Sequence, residues 1–154
     1  MDKKIDINKA REKIKSYCAY QDRCPHEVII KLKKLGQNSK SIDIIVDELI
    51  HLNFLNEKRY AISFCRGKFR IKKWGRKKIY LELKKREINP KYIHIALAEI
   101  DDLEYRQTIA EILLKRNKKE KETSISKRKV KLTKYLVSRG YEYELILDEL
   151  VNIV

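Results

Sequence analysis

Apolar residues fall at helical spacing along most of this chain. Val28 and Leu32 stand four apart, and Ile42, Val46 and Leu49 follow at steps of four and three, which puts each group on one face of a helix. The same five-position frame returns 51 residues later as Ile79, Leu83, Ile93, Leu97 and Ile100. After a further 53 residues it returns as Leu132, Leu136, Ile146, Leu150 and Ile153. Polar positions follow the frame, with Lys33-Lys34 falling on Lys84-Lys85 and Asn38 on Asn89. A pattern met three times in one register predicts a small helical unit in three copies, over 1–52, 53–103 and 104–154.

Each copy reads as three helices. In the first, helices are predicted over 8–21, 25–35 and 39–52, with Ala10, Ile14, Tyr17 and Cys18 facing inward. Pro25 suits a first helical turn, Gly36 a helix end and Asn38 a cap. In the second copy Asn56 opens a helix over 57–72, Trp74-Gly75 breaks the pattern, and Asn89-Pro90 starts the last helix. The third copy predicts a helix over 104–116 carrying Tyr105, Ile109, Ile112 and Leu113, then a mobile polar link over Asn117–Ser126. Helices over 127–139 and 142–153, split at Gly140, complete it. A unit of about 50 residues buries little apolar surface alone, so neighbouring copies must share faces. The expected fold is all-α: three tandem three-helix, helix-turn-helix-like repeats in an elongated, curved array.

Composition narrows the class. With 43% hydrophobic residues the chain is not disordered, and four Gly and two Pro suit helices rather than a sandwich or barrel. The N-terminus MDKKIDINKAREK lacks an apolar leader core, and no run approaches a membrane span, so no membrane association is expected. Cys18, Cys24 and Cys65 are odd in number and not spaced as pairs, which fits reduced thiols in a cytoplasm.

Charge then changes the picture. The formal net charge is +15, and it is concentrated: between Arg66 and Arg86 stand eleven Lys or Arg and the single acid Glu82. Phe64, Phe69, Ile71, Ile79, Leu81 and Leu83 interleave with them at spacings that allow one apolar side. A basic surface over a buried seam calls for a polyanion, either nucleic acid or an acidic protein. Arg66, Arg70 and Lys73 lie along one helical stripe, and Lys68 and Lys72 along the next. Such stripes also occur as plain solvated faces. Arg76, Lys77 and Lys78 are more telling, because they occupy a first helical turn, where the macrodipole disfavours cations by about 0.3–1 kcal/mol each. Cations beside unpaired N–H groups make an anion receptor. Trp74, the one Trp, either meets a base or a partner protein, or plugs the corner between two helices. A second basic run includes Lys127, Arg128 and Lys131, and reads either as part of a flexible charged link or as a further clamp on the polyanion.

Other chemistry finds no footing. Cys18, Cys24 and His26 have no ligand spacing and lack a fourth partner, so no metal is expected. His26, His51 and His94 belong to no nucleophilic or paired-acid constellation, and no phosphate-cradling Gly-rich loop is present. The reading is therefore a non-enzyme with no cofactor.

The order of these signals resembles the RecX family of bacterial regulators of the RecA recombinase. The likeness rests on Leu55-Asn56-Glu57-Lys58-Arg59-Tyr60-Ala61, then the basic run, then Gly75 through Ile79-Tyr80-Leu81-Glu82-Leu83. Leu136-Val137-Ser138-Arg139-Gly140-Tyr141 is similar to the family's Leu-x-x-Arg-Gly-Phe signature. Glu57 stands where the family usually has Asp, and Glu87 replaces the glycine seen at Gly36. The resemblance covers essentially the whole chain and implies three tandem three-helix repeats. It also implies a monomer that binds the RecA filament on single-stranded DNA, with possible direct DNA contact. Such binding would hinder filament growth, ATPase and strand exchange, in recombination, DNA repair and the SOS response. Within the motif, Arg59 is expected to pair with carboxylates of its own unit. The rival reading, which needs no recombinase, is a stand-alone nucleic-acid-binding module built from helix-turn-helix-like units.

Overall fold

The computed structural model describes residues 5–154, and among them regular structure is entirely α-helical. Among the described residues nine helices follow one another: α1 Ile7–Tyr20, α2 Pro25–Lys34, α3 Ser39–His51, α4 Glu57–Arg70, α5 Arg76–Lys85, α6 Pro90–Ala98, α7 Asp102–Lys119, α8 Ile125–Ser138 and α9 Tyr143–Leu150. The fold is all-α, as the periodicity predicts. The helix starts are set by short polar side chains that accept from otherwise orphaned N–H groups. Asp6 accepts from the N–H groups of Asn8 and Lys9, Asn38 from Ser41, Asn56 from Arg59, Asn89 from Lys91 and Asp101 from Glu104.

The chain divides into two compact units. The first comprises the described residues up to Ser63 with Leu83–Ile93, and the second Phe64–Glu82 with His94–Val154. Helices α4, α5 and α6 thus each contribute to both.

In the first unit α1, α2 and α3 pack on one another around Ala10, Ile14, Cys18, Val28, Leu32, Ile42, Ile45, Leu49 and Leu55. Each large aliphatic side chain buried here contributes about 1.5–3 kcal/mol. Arg59 of α4 donates to Asp22 at 2.8 Å and to the carbonyls of Asn53 and Phe54, so it ties the end of α3 to the turn after α1. Its partner is a carboxylate of this chain, but one from the first copy, 37 residues back, and not from its own copy as the sequence suggests. Cys18, Cys24 and Cys65 are buried free thiols, each pushed up to about 11 by burial.

In the second unit α7, α8 and α9 pack mutually through Tyr105, Ile109, Leu113, Leu132, Leu136, Tyr141, Ile146 and Leu150, all buried. The polar link is shorter than the sequence suggests. Helix α7 continues to Lys119 and α8 begins at Ile125. The intervening chain is pinned by Arg128, whose Nε donates to Asn117 Oδ1 at 2.6 Å and whose Nη1 donates to the carbonyls of Glu120 and Glu122. A guanidinium with five fixed donors can gather several carbonyls at once, which periodicity alone does not reveal.

All fifteen frame positions are out of solvent or half-buried, the half-buried ones being Val46, Leu97 and Ile153. The frame also marks a shared helix ending. The N–H groups of Gln37, Ile88 and Tyr141 reach back to the carbonyls of Leu32, Leu83 and Leu136 at 3.1, 3.2 and 3.1 Å. The residue before each has positive φ: Gly36 at 79°, Glu87 at 59° and Gly140 at 97°. This is the Schellman closure, and a left-handed residue is what it demands. Glu87 meets that demand with a side chain, at a cost of about 1–2 kcal/mol.

Not every apolar residue of the basic stretch turns inward. Phe69, Ile79 and Leu83 are buried, but Ile71 is 79% and Leu81 57% exposed. Leu81 lies two residues from both Ile79 and Leu83, on the other side of α5, and Ile71 comes after α4 has ended. The apolar seam is narrower than expected.

Candidate polyanion interface

The site is built around the joint between α4 and α5, in the second unit. Helix α4 ends at Arg70, and the chain turns through Ile71–Gly75 before α5. The turn is held by the residues that follow α8. Gly75 N–H donates to the Arg139 carbonyl at 2.8 Å, and Lys77 N–H to the Gly140 carbonyl at 3.0 Å. The Arg139 guanidinium donates to the Lys72 carbonyl, and the Tyr141 hydroxyl to the Lys73 carbonyl at 2.8 Å. The two segments that stood apart in the sequence, Gly75 onward and Arg139-Gly140-Tyr141, therefore form one contact.

Close approach is possible only because two glycines meet. A Cβ on Gly75 would stand 2.3 Å from the Gly140 carbonyl carbon. One on Gly140 would stand 2.5 Å from Lys78 Cβ. Held between these clamps, Lys73 takes φ 57°, which costs a non-glycine residue about 1–2 kcal/mol. Strain of this sort persists where the surroundings over-determine the backbone.

Beneath the joint lies a half-buried polar cluster. Arg76 N–H donates to the Tyr105 hydroxyl at 3.0 Å, and that hydroxyl donates to Glu142 Oε1. Arg76 itself pairs with Asp102 at 2.7 Å and Glu142 at 3.3 Å, with its guanidinium carbon 3.9 Å from the centre of the Tyr105 ring. Burial, then the hydrogen bond to Glu142, push the Tyr105 hydroxyl well above the ordinary phenol range. The anion receptor expected at the start of α5 is accordingly already engaged. The Arg76 and Lys77 N–H groups serve Tyr105 and Gly140, because the chain after α8 packs directly onto that helix end.

Above the joint the predicted residues separate into kinds. Trp74 is half-buried and meets Phe64 edge-on at 6.3 Å. Lys68 Nζ lies 5.0 Å from its ring centre and Lys78 Nζ 4.7 Å, within cation–π range. Trp74 thus does what a corner plug does, and fixes two ammonium groups as well. Arg66 faces Glu99 at 3.5 Å and Arg70 faces Glu104 at 3.8 Å. Lys72, Lys73 and Lys77 are exposed, and among the described residues their side chains enter no ion pair.

In the second basic run Lys127 is exposed, Arg128 is committed to the link, and Lys131 lies 3.8 and 3.5 Å from Glu120 and Glu122. Three residues important to the joint lay outside the sequence's candidate set: Tyr105 and Glu142, and Arg139 as a clamp. Tyr105 carried an apolar signal only, and nothing in a helical pattern distinguishes a tyrosine that packs from one that also bridges. Among the described residues no group of three or more His, Cys, Asp or Glu is placed to hold a metal ion, and no helix is long and apolar enough to cross a membrane.

Known proteins are similar to this chain in sequence and fold. Residues 56–97 match the family description "RecX, second three-helix domain", and residues 104–148 match "RecX, third three-helix domain". The chain is similar to the regulatory protein RecX of Lactobacillus johnsonii, 28% identical over 138 residues, covering 88% of this chain and 51% of that protein. Thus it spans about half the length of several of the curated relatives it matches. It is also 30% identical over 148 residues to the regulatory protein RecX of Clostridium acetobutylicum, covering 94% of this chain and 68% of that one. The crystal structure of RecX from Lactobacillus salivarius superposes with a TM-score of 0.81 at 28% identity, covering 96% of each chain. On these likenesses of sequence and fold, the chain belongs to the RecX family of regulatory proteins.

Proposed function

We propose that this chain regulates the RecA recombinase by occupancy, binding the RecA filament on single-stranded DNA through the surface around Trp74. The observation that carries the reading is the set of exposed lysines without ion pairs among the described residues: Lys72 and Lys73 on a turn held by Arg139 and Tyr141, and Lys77 in the first turn of α5, held by Gly140. They stand in a segment matching the second three-helix domain of RecX, and the turn is fastened by the third. A cationic, pre-shaped surface raises the rate and strength of association with a polyanion without any bond being made or broken. Occupancy then hinders filament growth, ATP hydrolysis and strand exchange. Three consecutive three-helix domains, over 1–52, 53–103 and 104–154, are the unit of organisation we infer, acting as a monomer in the cytoplasm.

Added near stoichiometry to RecA on single-stranded DNA, the protein should depress steady-state ATP hydrolysis. Substituting Lys72, Lys73 and Lys77 by Glu should abolish the effect. An unchanged hydrolysis rate at large molar excess of the unaltered protein would sink the reading.

A further inference from the structure

Within the basic surface the arginines and lysines are used differently. Arg66, Arg70 and Arg76 each face a carboxylate of this same chain: Glu99, Glu104, and Asp102 with Glu142. A surface pair of that kind is close to neutral at a distance and offers a polyanion little net attraction. Lys72, Lys73 and Lys77 face none among the described residues. What separates them is not the type of cation, since guanidinium and ammonium both bind phosphate. It is the carboxylate beside each arginine; without one, the lysine charges are left uncancelled.

The backbone beneath these lysines is also fixed more firmly than a turn requires. Lys72 and Lys73 sit beside each other, the second in a left-handed conformation, and each has its carbonyl held by a donor from beyond α8. Lys77 is held through its N–H on the Gly140 carbonyl. Lys68 and Lys78 border the group with their ammonium groups over Trp74. Five lysines therefore belong to the clamped turn and the helix ends beside it, and Lys72, Lys73 and Lys77 are the exposed ones.

We infer that Lys72, Lys73 and Lys77 bind successive backbone phosphates of single-stranded nucleic acid, and that Arg139 and Tyr141 are positioning residues for them. The inference deepens the function proposed above by assigning the unpaired cations of that surface to the DNA strand and not to an acidic protein groove.

Fluorescence anisotropy with labelled oligo(dT), titrated over a series of salt concentrations without RecA, tests it. The unaltered protein should bind at low salt, with log affinity falling as log salt rises. The triple variant K72Q/K73Q/K77Q should show a slope shallower by about 2, at about 0.7 per phosphate contact on a single strand. R66Q/R70Q should keep the original slope. Tyr141→Phe retains every charge and the buried ring but frees the Lys73 carbonyl, so it should weaken binding several-fold and flatten the slope by about 0.7, as one displaced lysine would. A purely structural role for Tyr141 would lower thermal stability and leave the slope alone. Three outcomes overturn the assignment: no oligo(dT) binding at low salt, an unchanged slope in the triple variant, or equal losses for arginine and lysine variants. Should the slopes behave as expected while RecA hydrolysis is untouched, the phosphate assignment stands and the recombinase reading is the one that fails.

Discussion

Each compact unit contains a tyrosine hydroxyl bound to a glutamate, and the two pairs do different work. In the first unit Tyr60 donates to Glu27 Oε1 at 2.7 Å, and Glu27 also accepts from the Cys24 thiol at 3.3 Å. Pro25 opens α2 there, so that helix presents one N–H fewer to satisfy. In the second unit Tyr105 donates to Glu142 while accepting from the Arg76 N–H, and Arg76 opens α5. The first pair closes a core. The second also fastens the helix that carries Lys77 and Lys78, and so connects packing to the candidate interface. The same local device is tied to the candidate interface where its tyrosine also accepts from the N–H that opens α5.

The largest effect should come from the glycine contact of the second unit. Gly140→Ala would put a Cβ 2.5–2.6 Å from Lys78 at φ 97°, and we expect a loss of at least about 3 kcal/mol. In a chain of this size that is a fall in melting temperature of roughly 10 °C. A melting temperature within a degree or two of the unaltered protein would mean that the two backbones do not touch as described.

Next come the tyrosines. Tyr105→Phe strands both the Arg76 N–H and one oxygen of Glu142, and should cost about 2 kcal/mol by urea denaturation. Tyr60→Phe leaves Glu27 with the Cys24 thiol and, at 3.9 Å, Arg23, and should cost about 1 kcal/mol. Equal losses would erase the contrast between the two pairs. The order reversed would mean that the first pair carries the greater structural burden.

The smallest effect is a gain. Glu87→Gly relieves a left-handed side chain but loosens the unfolded chain, and the net should be a stabilisation of roughly 0.5 kcal/mol. The contact of Glu87 with His26 at 3.8 Å is mostly exposed and subtracts little. Destabilisation by the same substitution would show that the glutamate side chain, and not the backbone, decides that turn.

Much of the architecture could be read directly from the order of residues. Val28 and Leu32, and their counterparts Ile79 and Leu83 and Leu132 and Leu136, are buried because a 3.6-residue repeat puts each pair on the one helix face that can turn inward. Asn38, Asn56 and Asn89 open helices because a short side-chain acceptor satisfies an N–H only a few residues away. Pro25 and Gly36 act through their own dihedral preferences. These are local rules, or periodic ones, and neither kind needs the rest of the molecule.

Which cations are available was not legible in that way. Arg66, Arg70 and Lys72 look alike in a list of basic residues. Their difference lies in Glu99 and Glu104, which are brought alongside the arginines by α6 and α7 packing more than thirty residues further on. The start of α5 looked like an open anion receptor until Gly140 and Tyr105 took its N–H groups. Thus the order of residues by itself determined the helices, their buried faces and the place where charge accumulates, because periodicity and capping act over a few residues. Only the tertiary structure decided which of those charges are cancelled and which backbone is clamped, because pairing and close contact depend on residues far apart in the chain.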